Sequence, residues 1–159
     1  MDEDDRTRRA RFREGMLDGR WAVRRAAALG LMSCADPADL PAFAALLHDP
    51  KVDVRHGVVV AIAVAFGRSR ESDVIPLLVE RALTDESLRV RRQAVSMLAW
   101  QLAHPDLESF FAELAERETD ERLVRFARAG RHLARARAAR EASLRPRGAS
   151  LRPRGGAPC

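Results

Sequence analysis

A recurring acidic turn limits what this chain can fold into more than any other feature. "DGRWAVRRAAALGLM" begins at Asp18, "DPKVDVRHGVVVAIA" at Asp49 and "DESLRVRRQAVSMLA" at Asp85. In each, the Asp is followed five residues later by a Val and then directly by an Arg: Val23-Arg24, Val54-Arg55 and Val90-Arg91. A looser copy, "DERLVRFARAGRHLA", starts at Asp120 and contains Val124-Arg125, with its Asp only four residues ahead. The valines are 31, 36 and 34 residues apart, a period that marks stacked helical hairpins.

Upstream of three copies lies a second motif: "DPADLPAFAALLHD", "ESDVIPLLVERALTD" and "HPDLESFFAELAERETD". Each reads as a short amphipathic helix. Asp39, Asp73 and Asp106 suit N-cap or first-turn positions, and Pro41 and Pro76 suit the early turns. The chain therefore alternates helix A, an Asp turn, helix B and a loop. The B helices carry apolar stripes: Ala94, Val95, Met97 and Leu98 in the third copy, and Val58, Val59, Ala61 and Ile62 in the second. In the first, Ala27, Ala28 and Leu31 fill the stripe, and Gly30 admits a close neighbour. One hairpin cannot bury such a stripe alone, so it packs against the next repeat. The run "VVVAIAVAF" reads locally as a buried strand, but its flanking Asp, Val and Arg align with helical copies, and a helix is predicted.

This signature resembles the HEAT repeat, particularly the short bacterial type grouped with phycobilisome-lyase-like HEAT repeats, over roughly residues 6 to 140. The resemblance implies an all-α, right-handed α-solenoid of about four hairpins. It also implies a ladder in which the turn Asp and the Arg after the Val join successive repeats: Asp18, Asp49 and Asp85 with Arg24, Arg55 and Arg91. The fourth copy departs from the pattern. Its apolar face reads as Leu123, Ala127, Gly130 and Ala134, with Phe126 and Leu133 alongside, while Arg122, Arg125, Arg128 and Arg135 cover an end with no further repeat. At the other end, Phe12 and Met16 turn inward from a first helix rich in acids and arginines.

Charge is distributed unevenly. The net +5 combines +7 from Arg131 onward, eight arginines against Glu141, with −2 over residues 1–130. Residues 1–142 are expected to form the solenoid and 143–159 a disordered Arg/Pro/Gly tail, in which "ASLRPRG" occurs twice in tandem. Proline there removes backbone donors and disfavours helix geometry before it. Arg145, Arg147, Arg152 and Arg154 would make this tail an electrostatic arm. Two cysteines, Cys34 and Cys159, make no disulfide framework. The apolar run Gly57 to Gly67 is far shorter than the roughly 20 residues of a membrane helix, and no signal-like core opens the chain, so no membrane insertion and a cytoplasmic location are expected.

No catalytic residue can be assigned: there is no Gly-rich phosphate loop, no GxSxG elbow and no Cys/His pair in recognisable context. Glu113 and Glu116 read as surface acids. His48, His56, His104 and His132 lack the spacing of a zinc helix, and no metal or cofactor is expected. Trp21 and Trp100 are expected to pack rather than to offer stacking platforms. In HEAT arrays the B helices build the concave wall. There the column Arg25, His56 and Arg92, with Gln93 and Ser96, is the candidate partner-binding surface. The expected function is that of a non-catalytic protein–protein interaction module. The alternatives are non-specific nucleic-acid binding aided by the basic C-terminus, and a lyase-like accessory role; no glycosylase-like acid and aromatics can be placed.

Overall fold

Three of the acidic turns are built the same way. Asp18, Asp49 and Asp85 each accept, through Oδ1, the backbone N–H two residues on, from Arg20 (2.7 Å), Lys51 (2.8 Å) and Ser87 (2.9 Å). Those three residues are the N-caps of the following helices. The carboxylate thus offers the chain a local hydrogen bond that stops one helix and starts the next.

The computed structural model describes residues 3–144. Among them are α1 (Glu3–Gly15), α2 (Trp21–Leu31), α3 (Leu40–Leu46), α4 (Val52–Phe66), α5 (Glu71–Thr84), α6 (Leu88–Met97), α7 (Glu108–Arg117) and α8 (Glu121–Leu144). Short 3-10 turns at Pro37–Asp39 and Pro105–Leu107 lead into α3 and α7, and a π turn at Leu98–Leu102 extends α6. No strand occurs among the described residues. Each odd-numbered helix packs on the even-numbered helix after it, and α2, α4, α6 and α8 pack side by side in order. The result is an all-α solenoid of four hairpins. The expected tail, apart from Ser143 and Leu144 at the end of α8, lies outside the described residues.

The β-branched run is helical, because α4 is an inner B helix, flanked by α2 and α6, and is enclosed on most of its circumference. Val54, Val58, Val59, Ala61, Ile62 and Ala63 are fully buried. Phe43 from α3 meets Phe66 from α4 edge to face, with ring centroids 5.5 Å apart. A hydrophobic interior outweighs the small helix penalty of valine. The terminal B helices follow the expected stripes: Ala27, Ala28 and Leu31 in α2, and Leu123, Ala127, Gly130 and Ala134 in α8, are buried. Arg122, Arg125, Arg128 and Arg135 are exposed. Met16 is buried, and Phe12 packs against Gly30, where a Cβ would stand only 2.4 Å from the ring.

Several local expectations change. Asp39 is a first-turn acid of the 3-10 turn, as expected, while Asp36 caps it, and the two form a capping box. Asp39 is buried and pairs with Arg13, while Arg9 donates to Asp36 (2.5 Å) and to the Cys34 carbonyl (2.8 Å), fastening α1 to that turn. Pro76 falls in the second turn of α5 rather than the first. Trp21 and Trp100 do not pack inside: they are 42% and 59% exposed. At Trp100 the cause is helical register: it stands one turn beyond Ser96 on the outward face, as Val64 does in the unbroken α4. In the π turn, Ala103 N–H reaches back to the Leu98 carbonyl (2.8 Å), and Leu98, Ala99 and Leu102 take the buried positions.

Candidate recognition surface on the B helices

The Asp–Arg contacts set the spacing of the B helices. Arg24 Nε and Nη2 donate to Asp49 Oδ2 (2.6 Å) and Oδ1 (3.1 Å), while Nη1 donates to the carbonyls of Asp18 (2.8 Å) and Gly19 (3.0 Å). Arg55 repeats the arrangement one hairpin on: a fork to Asp85 (2.8 and 3.1 Å), the Asp49 carbonyl (2.8 Å) and Glu86 (3.0 Å). Each guanidinium therefore closes its own turn and grips the next turn's carboxylate. Burial works to raise the Asp49 carboxyl, but Arg24 and the Lys51 N–H outweigh it and hold it below the usual range. The hydrogen bonds that Arg55 donates to Asp85 keep it above the ordinary guanidinium value.

At the last turn the contact passes to a different arginine. Arg91 donates to the carbonyls of its own turn, Asp85 (2.8 Å) and Glu86 (3.4 Å), but makes no ion pair among the described residues. Arg92 instead forms the two-pronged contact with Asp120, through Nε (2.9 Å) and Nη2. The backbone explains the shift. Val23, Val54 and Val90 are each the third residue of their helix, and in α8 that place belongs to Leu123, not Val124. Asp120 is consequently the residue just before the helix, capping Leu123 N–H (3.0 Å), rather than two residues further back. Glu118 holds the turn position of the earlier aspartates and accepts from Asp120 N–H (3.2 Å). The contact with Arg92, followed by the Leu123 N–H, holds Asp120 down at about 2.

With that register, the residues facing outward from α4, α6 and α8 share one groove of about 260 Å³, lined by His56, Arg89, Arg92, Gln93, Ser96, Arg122 and Phe126. It contains four of the five residues proposed from sequence. The fifth, Arg25, lies beside it on α2: its side chain crosses Gly57, where a Cβ would stand 3.2 Å from Cγ. Arg89, Arg122 and Phe126 were not proposed. Arg89 and Arg122 stand one residue before Val90 and Leu123, hence one turn before Arg92, Gln93 and Phe126 on the same face. Aligning the fourth copy on Leu123 would have shown both, and would have set Phe126 opposite Gln93.

The groove is positively charged. Arg89 pairs with Asp53 (2.7 Å) and Arg92 with Asp120, whereas Arg25 and Arg122 form no ion pair among the described residues. Burial, then the charges of Arg89 and Arg25, push His56 below the usual imidazole value, against the opposing effects of Asp53 and Gln93. His56 is therefore neutral at pH 7, and its buried Nδ1 has no hydrogen-bond partner among the described residues. Such a surface can bind and orient a negatively charged segment. The tail arginines Arg145, Arg147, Arg152 and Arg154 lie outside the described residues. No three potential metal ligands cluster among the described residues, and no described helix is long and apolar enough to cross a membrane.

A family model described as HEAT repeats matches residues 45–129, more than half of the chain, from the end of α3 into α8. No curated protein matches the chain. HEAT repeats commonly mediate protein–protein interaction and are typically non-enzymatic scaffolds. Stacked hairpins, Asp turns gripped by arginines and the family match agree: this chain belongs to the HEAT-repeat family.

Proposed function

We propose that the protein is a non-catalytic binding module that captures another protein on the face formed by α4, α6 and α8, with Arg25 of α2 at its edge. One observation carries this reading: polar and cationic side chains from three successive B helices converge on a single groove. A rigid array held by forked ion pairs presents such a surface with little ordering cost on binding. The test is site-specific crosslinking. A photoactivatable residue at Ser96, in the groove, should capture protein from cell extract, and nuclease treatment should not remove the adduct. The same residue at Glu113, exposed on α7 in the other layer, should not. Equal capture from both positions, or an adduct that nuclease removes, overturns the reading.

A second reading is favoured by the exposed arginines of α8, which continue the positive charge of the C-terminal segment. On that reading the basic end binds nucleic acid without sequence preference. Four tail arginines on phosphates would give a log–log salt slope of about −3.6 on duplex DNA. Because α8 runs to Leu144, the truncation that tests it ends there. DNA affinity unchanged by this truncation excludes the tail as the arm.

A further inference from the structure

The cationic groove is only half of the outward B-helix face. One turn beyond Ser96 stands Trp100, and the equivalent residue of α4 is Val64: each is the residue ten after its repeat valine. They are 59% and 45% exposed. Leu133, ten after Leu123, is the half-buried member of the same column in α8. Two large apolar side chains standing in water, in register on neighbouring helices, form a strip that no described segment covers.

We propose, building on the reading that this face captures a protein, that the captured segment is an acidic peptide carrying one bulky apolar side chain. Its carboxylates sit on Arg25 and Arg122 across the groove, and its apolar side chain lies against Trp100 and Val64. Charge complementarity selects the occupant. Four arginines face two aspartates here, and the two without ion pairs lie on opposite sides of the groove, on α2 and α8. Asp53 on α4 and Asp120 just before α8, each paired with an arginine of α6, would repel a continuous phosphate chain laid along this face. Arg25 stands at the helix level of Arg92, each two residues after its repeat valine, and Trp100 lies eight residues beyond that level, about 12 Å along the helix axis. An extended peptide covers that distance in about four residues at ~3.4 Å each.

The probe is a fluorescein-labelled peptide with a central Phe, flanked on each side by Ser-Ser-Gly and an acidic triplet, so that either chain direction offers the required spacing. Its affinity for the full chain is measured by fluorescence anisotropy. Replacing the Phe by Ala, or the acids by their amides, should each weaken binding about tenfold or more. Arg25→Gln with Arg122→Gln should abolish sensitivity to the acids, and Trp100→Ala should abolish sensitivity to the Phe. All three side chains are outside the core, so matching circular dichroism and melting temperatures verify folding. Peptides that bind equally with and without acids or Phe overturn the proposal. So does a Trp100→Ala protein that still discriminates Phe from Ala, or oligo-dT that displaces the peptide at lower concentration. Protein capture from Ser96 without peptide binding overturns the bipartite site alone; loss of capture from Ser96 overturns the binding-module reading itself.

Discussion

Replacing Arg55 by Met tests whether the Asp–Arg contacts hold the array together. The Arg55 and Asp85 side chains are 6% and 1% exposed, the least accessible of the ion pairs. Met keeps much of the apolar stem but removes the fork to Asp85 (2.8 and 3.1 Å) and the bonds to the Asp49 carbonyl and Glu86. Asp85 would be left buried, with only the Ser87 N–H (2.9 Å) and a distant Arg81 (3.9 Å) to offset its charge. Breaking a buried pair on one side costs about 3–5 kcal/mol, and those residual contacts place this case near 3. For a chain of this size that is a fall in Tm of roughly 6–12 °C. Removing both partners, Arg55→Met with Asp85→Leu, should cost only about 1 kcal/mol, because no charge is stranded and the turn loses one capping bond. Urea denaturation followed by circular dichroism reads both values. An Arg55→Met protein within about 1 kcal/mol of wild type, or a double variant less stable than the single one, refutes the reasoning.

Three further outcomes are expected. Gly130→Ala should destabilise, because its Cβ would meet the buried Phe111 ring at 2.6 Å; overpacking of about 1–3 kcal/mol exceeds the helix propensity gained, and Phe111→Leu should recover part of the loss in thermal melts. Asp120, held at about 2 against 3.8 unperturbed, has a depressed folded value, so its contribution is present above pH ~4 and fades as pH falls toward 2. Asp120→Asn should therefore flatten the dependence of Tm on pH across that interval, and an unchanged slope would show that the Arg92 contact contributes nothing. Trp100→Ala, despite the size of the side chain, should shift stability by no more than about 0.5 kcal/mol, since the residue is mostly exposed; a larger loss in urea denaturation would mean that the indole packs.

The fold was legible because period and stripe point the same way. Valines about one hairpin apart set the repeats, and the apolar positions after them are the ones buried in α2, α4 and α6, except Met97, which is half-buried. The groove was partly legible: residues two, three and six after each valine point outward together, so His56, Arg92, Gln93 and Ser96 could be grouped. The last repeat was harder, since two acids and two apolar residues compete for the same register. Asp120 and Val124 imitate the earlier motif, whereas Glu118 and Leu123 occupy its places. A Glu at the turn still accepts the N–H two residues on, so backbone geometry tolerates the substitution. The consequence falls on Arg92, which takes the Asp120 carboxylate and leaves Arg91 with carbonyls only. Trp100 was misplaced although its place was readable: ten residues after Val90 and one turn beyond Ser96, it falls on the outward face, as Val64 does after Val54.

The most direct test of the recognition face uses the Trp100 indole as an internal reporter. It is exposed and stands beside the groove on α6, whereas α5 and α7 lie in the opposite layer. Titrating the acidic Phe-containing peptide into nitrogen-15-labelled protein should move the Trp100 Nε1–H resonance, with the amides of His56, Gln93 and Ser96, and leave the amides of α5 and α7 in place. Shifts confined to α5 and α7 would contradict the account.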